Sequence, residues 1–169
     1  MDLAQAIFRS ALTPDWFGPN RLNDDFMGRF EAVTLHMALV VRALRRKDAA
    51  HARFANRLIA AMFDLLDAGL RELGVGDLTV PKKLRVLSEA FHGRLRAYDA
   101  ALDPLAPTDA LAAALMRNMF DDQKSALPLA NATADWVRRA ADRLSVITHF
   151  NDELVCAAFG APVLAVSDD

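Results

Sequence analysis

Side chains able to do chemistry are few in this chain, and none combines with others into a recognisable catalytic motif. The four histidines, at positions 36, 51, 92 and 149, include no H-x-x-x-H pair, the spacing that places two imidazoles on one helix face for a metal. His36 lies in an apolar run, which is typical of a hydrogen-bonded core histidine. Cys156 has apolar neighbours, which favour an inert thiol over an activated nucleophile. We therefore predict no catalytic residue, no metal site and no cofactor.

The most suggestive acidic pair is Asp64 and Asp67, which are three residues apart and share one face of a predicted helix. Helical isoprenoid-processing enzymes use aspartate-rich patches to hold magnesium against a diphosphate. The full D-D-x-x-D pattern is absent here, and a motif needs its whole context. One alternative function nevertheless stays open at this point: a small helical lipid- or isoprenoid-binding protein or enzyme with both aspartates facing a pocket.

The segment Gly74-Val75-Gly76-Asp77 is similar to a phosphate-binding loop only in its glycines. It lacks G-x-G-x-x-G and follows a helical pattern rather than a strand, so nucleotide binding is not predicted. We expect a tight turn that needs positive φ between two antiparallel helices. Such a turn could also fix one geometry for recognising a partner.

The chain that positions these residues has 169 residues, of which 53% are hydrophobic. This size and composition fit one globular domain and exclude a disordered or collagen-like chain. A formal charge of −2 gives no indication of DNA binding, and a single cysteine excludes a disulfide framework. The first residues lack the pattern of a signal peptide. The longest uncharged stretches, 32–41 and 154–167, are too short for a spanning helix.

Apolar residues recur at intervals of three and four along most of the chain, which predicts helices rather than strands. Asp48 is expected to cap a helix and so to divide an antiparallel pair, with a single bent helix as the alternative. The last long helix is expected to begin at Asn131 or Thr133 and to reach Phe150, after a loop over 121–128. We predict an all-α, single-domain bundle over 1–169, with five to seven helices in antiparallel pairs, of which the others cover about 1–12, 26–44, 54–73, 79–102 and 108–120.

Positive charge is concentrated in two stretches although the whole chain is near neutral. Residues 42–57 carry six basic side chains against Asp48, and residues 82–96 carry five against Glu89. If these helices are neighbours, they could form one basic surface suited to anionic lipid headgroups, ribosomal RNA or an acidic protein. A solvated helix face is the alternative interpretation.

The apolar surplus could form a groove for a partner helix. The segments least needed for a small bundle are Phe8, Trp16, Phe17, Phe26 and the tail 159–166. Each of them could equally belong to the core, which is the commoner place for such residues.

Blocks of sequence stand in a fixed order between Trp16 and Phe120. They are GRF at 28–30, LHMALV at 35–40, MFDLLD at 62–67, LRELGVGDL at 70–78, the stretch 82–98 and ALMRNMF at 114–120. Together these blocks resemble the signature of the ubiquinol–cytochrome c chaperone family. The resemblance fades beyond Phe120, so it implies little about the last third of the chain.

The resemblance implies a non-catalytic chaperone, an assembly factor for the respiratory cytochrome bc1 complex that holds newly made cytochrome b near the ribosome or the inner membrane. The implied partners are cytochrome b or another bc1 subunit and a small partner protein, with the ribosomal exit-tunnel region or an anionic membrane surface as further contacts. Because no mitochondrial presequence is recognisable, we expect a bacterial member, cytoplasmic and peripheral at the inner face of the inner membrane. The residues expected to bind a partner are Arg71, Gly74, Gly76, Asp77, Lys82, Lys83, Arg94 and Tyr98.

Overall fold

The computed structural model describes residues 2–19 and 21–162, which contain seven α-helices and two short 3₁₀ turns. The helices are α1 (Leu3–Ala11), α2 (Phe26–Arg45), α3 (Ala49–Glu72), α4 (Val80–Ala101), α5 (Ala110–Met119), α6 (Leu127–Ser145) and α7 (Asp152–Phe159). The prediction of an all-α, single-domain bundle is confirmed, at the upper end of the expected number of helices.

Helix α2 is the centre of the bundle. Its residues 30–41 are all buried, rather than only those along one stripe. This stretch is almost free of charge, so every face of the helix can lie against an apolar neighbour. The helices α1, α3, α4, α5 and α6 pack around it. No described helix, α2 included, is long and apolar enough to cross a membrane.

A carboxylate cap divides α2 from α3. Asp48 Oδ1 accepts hydrogen bonds from the backbone N–H groups of Ala50 and His51, both at 2.9 Å. These bonds satisfy two of the donors that a helix leaves open at its start. Since α2 ends at Arg45 and α3 begins at Ala49, the predicted helix pair is confirmed and the single bent helix is wrong.

The start of α6 differs from the prediction. Residues 124–126 form a 3₁₀ turn and α6 begins at Leu127, inside the stretch expected to be a loop. Pro128 lies in the first turn, where its missing N–H costs no intrahelical bond. Asn131 and Thr133 are therefore interior residues of α6 and not caps. The helix ends at Ser145, so it does not reach Phe150.

The first and last helices pack together, because α7 lies against α1 and α6. Asn151 Oδ1 accepts a hydrogen bond from a backbone N–H in the first turn of α7, at 2.8 Å. The helix ends before Gly160, and Arg143 donates to the carbonyl oxygens of its last two residues at 2.6 and 2.9 Å. A cation at this position complements the negative end of the helix dipole.

An aromatic cluster surrounds His36 at the centre of the bundle. The ring centroids of Trp16, Trp136 and Phe159 lie 5.3, 5.0 and 4.6 Å from the centroid of the imidazole. His36 Nδ1–H donates to the carbonyl oxygen of Ala32, at 2.8 Å. The prediction of a core histidine is thus confirmed.

The same cluster decides between a groove and the core for two of the apolar residues considered above, in favour of the core. Trp16 and Phe159 are buried in the core, where the ring surface is in contact with other rings. Phe8, Phe17 and Phe26 are partly buried against that core. Residues 163–166 of the predicted groove lie outside the described residues.

His36 should make the stability of the fold depend on pH. Burial lowers the pKa of His36 to about 4, whereas an unfolded histidine has a pKa of about 6.5. As the pH falls, the unfolded state binds this proton first, so the free energy of unfolding decreases. We expect a loss of about 2 kcal/mol between pH 7 and pH 5, measured by urea denaturation. The variant His36→Phe should lack this part of the loss, and an identical loss in both proteins would contradict the assignment.

Candidate functional site

The turn between α3 and α4 has a defined backbone geometry. Gly74 has a φ of +79°, the left-handed conformation that glycine adopts without strain. Its N–H donates to the carbonyl oxygen of Arg71 at 2.9 Å, and the N–H of Val75 donates to that of Leu70 at 3.1 Å. This pair of bonds is the Schellman arrangement that ends many helices. The predicted tight turn is confirmed at Gly74, whereas Gly76 does not have a positive φ.

The side chain of Arg71 joins the end of α3 to this turn. Arg71 Nε lies 2.6 Å from Asp67 Oδ2, and Arg71 Nη1 contacts Asp77. Exposed ion pairs of this kind contribute little to stability. They hold the side chain of Asp77 beside the end of α3, which fixes the position of the turn relative to that helix.

The surface around this turn contains two strongly exposed leucines. Leu73 is 69% exposed and Leu78 is 89% exposed, and they stand on either side of Gly74 and Gly76. Lys82 and Lys83 follow in the first turn of α4 and are also exposed. We call the surface formed by Leu73 and Leu78 the leucine tip. The sequence predicts the turn, but not that its leucines point outward.

Arg94 and Tyr98 lie away from this turn, in the interface between α4 and α2. Arg94 Nε and Nη2 are 2.6 and 2.5 Å from the two carboxylate oxygens of Glu31. Burial raises the pKa of the Glu31 carboxyl, and Tyr98 is only 1% exposed. Their role in partner binding stays a prediction. In the structure, Arg94 joins α4 to α2 through this ion pair, and Tyr98 is part of the core.

The two basic stretches meet only in part, at the far end of α4 from the leucine tip. A cavity of about 510 Å³ lies between the end of α2 and the second half of α4 and is lined by residues from both. We call it the basic cleft, and its charged and polar lining consists of Arg42, Arg45, Arg46, His92, Arg96 and Asp99. Lys82 and Lys83 lie at the opposite end, so the sequence clusters do not form one continuous surface.

Other candidate chemistry finds no support in the described residues. Asp64 is exposed, and Asp67 is bound by Arg71, so the two aspartates do not converge on an enclosed pocket. Glu89 and His92 have the E-x-x-H spacing of a helical metal-ligand pair. Glu89, however, accepts from Arg85 at 3.1 Å. The described part of the chain contains no group of three or more side chains that could hold a metal ion.

One cavity has no recognisable signal in the sequence. It measures about 510 Å³ and lies between residues 18, 19 and 21–23 on one side and 119–129 on the other. Asp121, which lines this cavity, and the following Asp122 have φ values of +48° and +55°, which few residues other than glycine adopt. Aspartate tolerates this conformation better than most residues, so the sequence shows only a loop here.

Comparison with known proteins shows to which family this chain belongs. The family model described as ubiquinol-cytochrome C chaperone matches residues 20–150, which include both the leucine tip and the basic cleft. The chain belongs to the ubiquinol–cytochrome c chaperone family. It is also similar to the crystal structure of the Cbp3 homolog from Brucella abortus, with a TM-score of 0.74 and 33% identity over 92% of this chain and 83% of that one. No curated protein matches it significantly.

For this ubiquinol–cytochrome c chaperone, the family match extends past Phe120, where the recognisable blocks end. The additional residues include α6 (Leu127–Ser145), which packs against α2 and α5. Membership supports a role as a chaperone in bc1 assembly rather than as an enzyme. It also shows that α6 belongs to the shared domain, which the sequence blocks alone do not reveal.

Proposed function

We propose that this protein is a non-catalytic chaperone for assembly of the cytochrome bc1 complex and that it holds an apolar segment of newly made cytochrome b at the leucine tip. Family membership supports the assembly role. Further contacts would be the ribosomal exit-tunnel region or an anionic membrane surface, at the inner face of a bacterial inner membrane, and a small partner protein. The contact with cytochrome b is the part of the proposal that the leucine tip supports.

The exposure of Leu73 and Leu78 is the observation that carries this proposal. Isolated exposed leucines are common on protein surfaces, but the backbone is held by hydrogen bonds at both of these positions. Leu73 directly precedes the bonded Gly74, and Leu78 lies in the next turn, where the N–H groups of Thr79 and Val80 donate to the carbonyl oxygen of Gly76 at 2.8 and 3.1 Å. A turn that is already ordered loses little conformational entropy on binding, so less of the favourable contact energy is offset by the cost of ordering the turn. Lys82 and Lys83 would form a charged rim beside this apolar centre, as in many protein interfaces.

The double variant Leu73→Gln and Leu78→Gln tests the proposal. Both side chains are exposed, so the variant should fold with nearly unchanged stability. Fully burying a leucine side chain contributes about 1.5–3 kcal/mol, so we expect at least about tenfold less cytochrome b to copurify with the tagged variant. The measurement uses cells in which the tagged variant replaces the normal protein. The bc1 activity of their membranes should fall in parallel.

A matched control replaces Leu127 and Leu154, which are also exposed but lie on α6 and α7. The variant Leu127→Gln and Leu154→Gln should capture cytochrome b normally. Equal capture by all three proteins would exclude the leucine tip as the client site. Normal bc1 levels in cells without the protein would overturn the assembly role itself.

A further inference from the structure

The basic cleft carries more positive charge than its own residues neutralise. Asp99 is its single carboxylate, and it lies 2.9 Å from Arg42 Nε and 3.7 Å from Arg46 Nη2. Arg42 also donates to the carbonyl oxygen of Leu102 at 3.0 Å, and Arg45 donates to Asn56 at 3.2 Å. Four guanidinium groups therefore line the cleft with one carboxylate, which contacts two of them. The adjoining cavity that shares Arg42 and Arg46 adds Asp103, Asp142 and Arg138, so the two cavities together keep an excess of positive charge.

This arrangement costs stability in the free protein. Arg46 directly follows α2 and lies four residues after Arg42, a spacing at which like charges repel. Burial and the neighbouring charge of Arg46 lower the pKa of Arg42. Arg46 and Arg96 remain exposed to solvent, so an anion from outside can reach them. Such an anion would relieve the repulsion and bind more tightly than at an ordinary surface arginine.

The donors suit phosphate oxygens. The guanidinium group presents a planar fork of N–H donors that matches the oxygens of phosphate. The walls come from two helices, so donors approach the cavity from α2 and α4 at once. Two further cavities, of about 120 and 410 Å³, share Arg42 and Arg46 as a wall. The space is thus large enough for a phosphate with attached groups.

The surroundings of the cleft favour a lipid as the source of that phosphate. Leu105, in the α4–α5 loop, is 94% exposed, and Val146, directly after α6, is 76% exposed. Both lie next to residues that line the adjoining cavities. Aliphatic side chains beside cations are the combination that binds a bilayer interface. An RNA site would instead be expected to offer several aromatic rings for stacking on successive bases, whereas His92 is the single ring in the lining of the cleft.

We propose that the basic cleft binds the phosphate of anionic lipid headgroups, with Leu105 and Val146 entering the interfacial layer. This proposal rests on the proposed function and makes it more specific. It assigns a membrane, and not the ribosome, as the partner of this end of the protein. The leucine tip would then face away from the bilayer, because about 25 Å of α4 separates Val80 from Arg96.

Binding of the full chain to vesicles tests the proposal. The probe is a vesicle of phosphatidylcholine and phosphatidylglycerol in equal parts, compared with pure phosphatidylcholine, in a cosedimentation assay at about 0.1 M salt. We expect binding to the anionic vesicle only. The triple variant Arg45→Gln, Arg46→Gln and Arg96→Gln should lose about 100-fold in affinity, since each cation near an anionic surface contributes about fivefold. Thermal unfolding of the variant confirms that it is folded.

The matched control removes three exposed cations at other places, with Lys82→Gln, Lys83→Gln and Arg117→Gln. It should bind anionic vesicles nearly as well as the normal protein. An equal loss in both triple variants would show that only net charge matters and would overturn the proposal. Capture of cytochrome b by the cleft variant is measured separately. A negative result with vesicles would therefore overturn only the lipid site, and the experiment with the leucine variants would still test the client site.

A second variant separates a lipid from other phosphate sources. Leu105→Gln with Val146→Gln should weaken vesicle binding about tenfold, because two apolar side chains no longer enter the interface. The same variant should bind inorganic pyrophosphate as the normal protein does. Unchanged vesicle binding, or tight binding of single-stranded RNA without binding of anionic vesicles, would overturn the assignment to a lipid.

Discussion

Replacing Arg94 by methionine should lower the free energy of unfolding by about 3–5 kcal/mol at pH 7, as expected when one partner of a buried ion pair is removed. The change leaves the Glu31 carboxylate buried on α2 without the two N–H donors that now bind it at 2.5 and 2.6 Å. It also removes a cation that lies over the ring of Phe30. Urea denaturation monitored by circular dichroism would measure the loss.

The double variant Glu31→Leu and Arg94→Met is the control. Because both charges are removed, it should recover most of the lost stability, as apolar replacements of buried ion pairs often do. The single variant should also lose less at pH 5 than at pH 7. Burial already raises the pKa of Glu31, so without Arg94 the folded state binds a proton more readily than the unfolded state, and stability falls as the pH rises. Equal losses in the single and double variants would show that charge burial is not the cause.

Replacing Gly28 by alanine is expected to destabilise the fold by about 3 kcal/mol, with a fall in Tm of about 6–12 °C. A Cβ at this position would overlap the backbone carbonyl oxygen of Asn23, and backbone cannot move aside as a flexible side chain can. The N–H of Gly28 also donates to Asp25 Oδ1 at 2.8 Å. Displacing the loop would therefore weaken the cap of α2, which contributes about a further 1 kcal/mol.

Gly69→Ala is the matched control, because the same substitution meets no atom within 4 Å there. Gly69 lies in α3, where alanine is favoured over glycine by about 0.5–1 kcal/mol. This control should therefore raise the Tm, whereas Gly28→Ala should lower it. A similar change at both positions would mean that helix propensity, and not the contact with Asn23, determines the effect.

The sequence predicts those parts of the fold in which local signals agree with packing. Asp48 follows a basic helix end and precedes an apolar pattern, so the sequence favours a boundary between α2 and α3 over a single bent helix. At the start of α6 the signals conflict, since Asn131 and Thr133 are good caps but Pro128 is suited to a first helical turn, which is where it lies. The burial of α6 against α2 and α5 decides this conflict, and such contacts between distant residues leave no local pattern.

In the candidate sites, too, features set by local sequence are predictable and features set by the packing of helices are not. The turn at Gly74 is predictable because a glycine after an apolar repeat indicates a left-handed cap. Which cations converge is not predictable, because this depends on how the helices are placed. Arg96 joins Arg46 in the basic cleft, whereas Lys83, from the same basic stretch, lies at the other end of α4. Burial is equally difficult to predict, because the sequence marks Tyr98 as a binding residue whereas the structure leaves only 1% of it exposed.

The contact between Phe159 and His36 has a consequence for how the chain folds during synthesis. The ring that completes the aromatic cluster is made 123 residues after the histidine that it covers. Contacts of such long sequence separation form late, because the intervening chain must first be ordered. While the chain is still being translated, Trp16 and His36 lack this neighbour. The aromatic cluster can be completed only after α7 has emerged from the ribosome. Burial of Phe159 therefore distinguishes a completed domain from one that is still being synthesised.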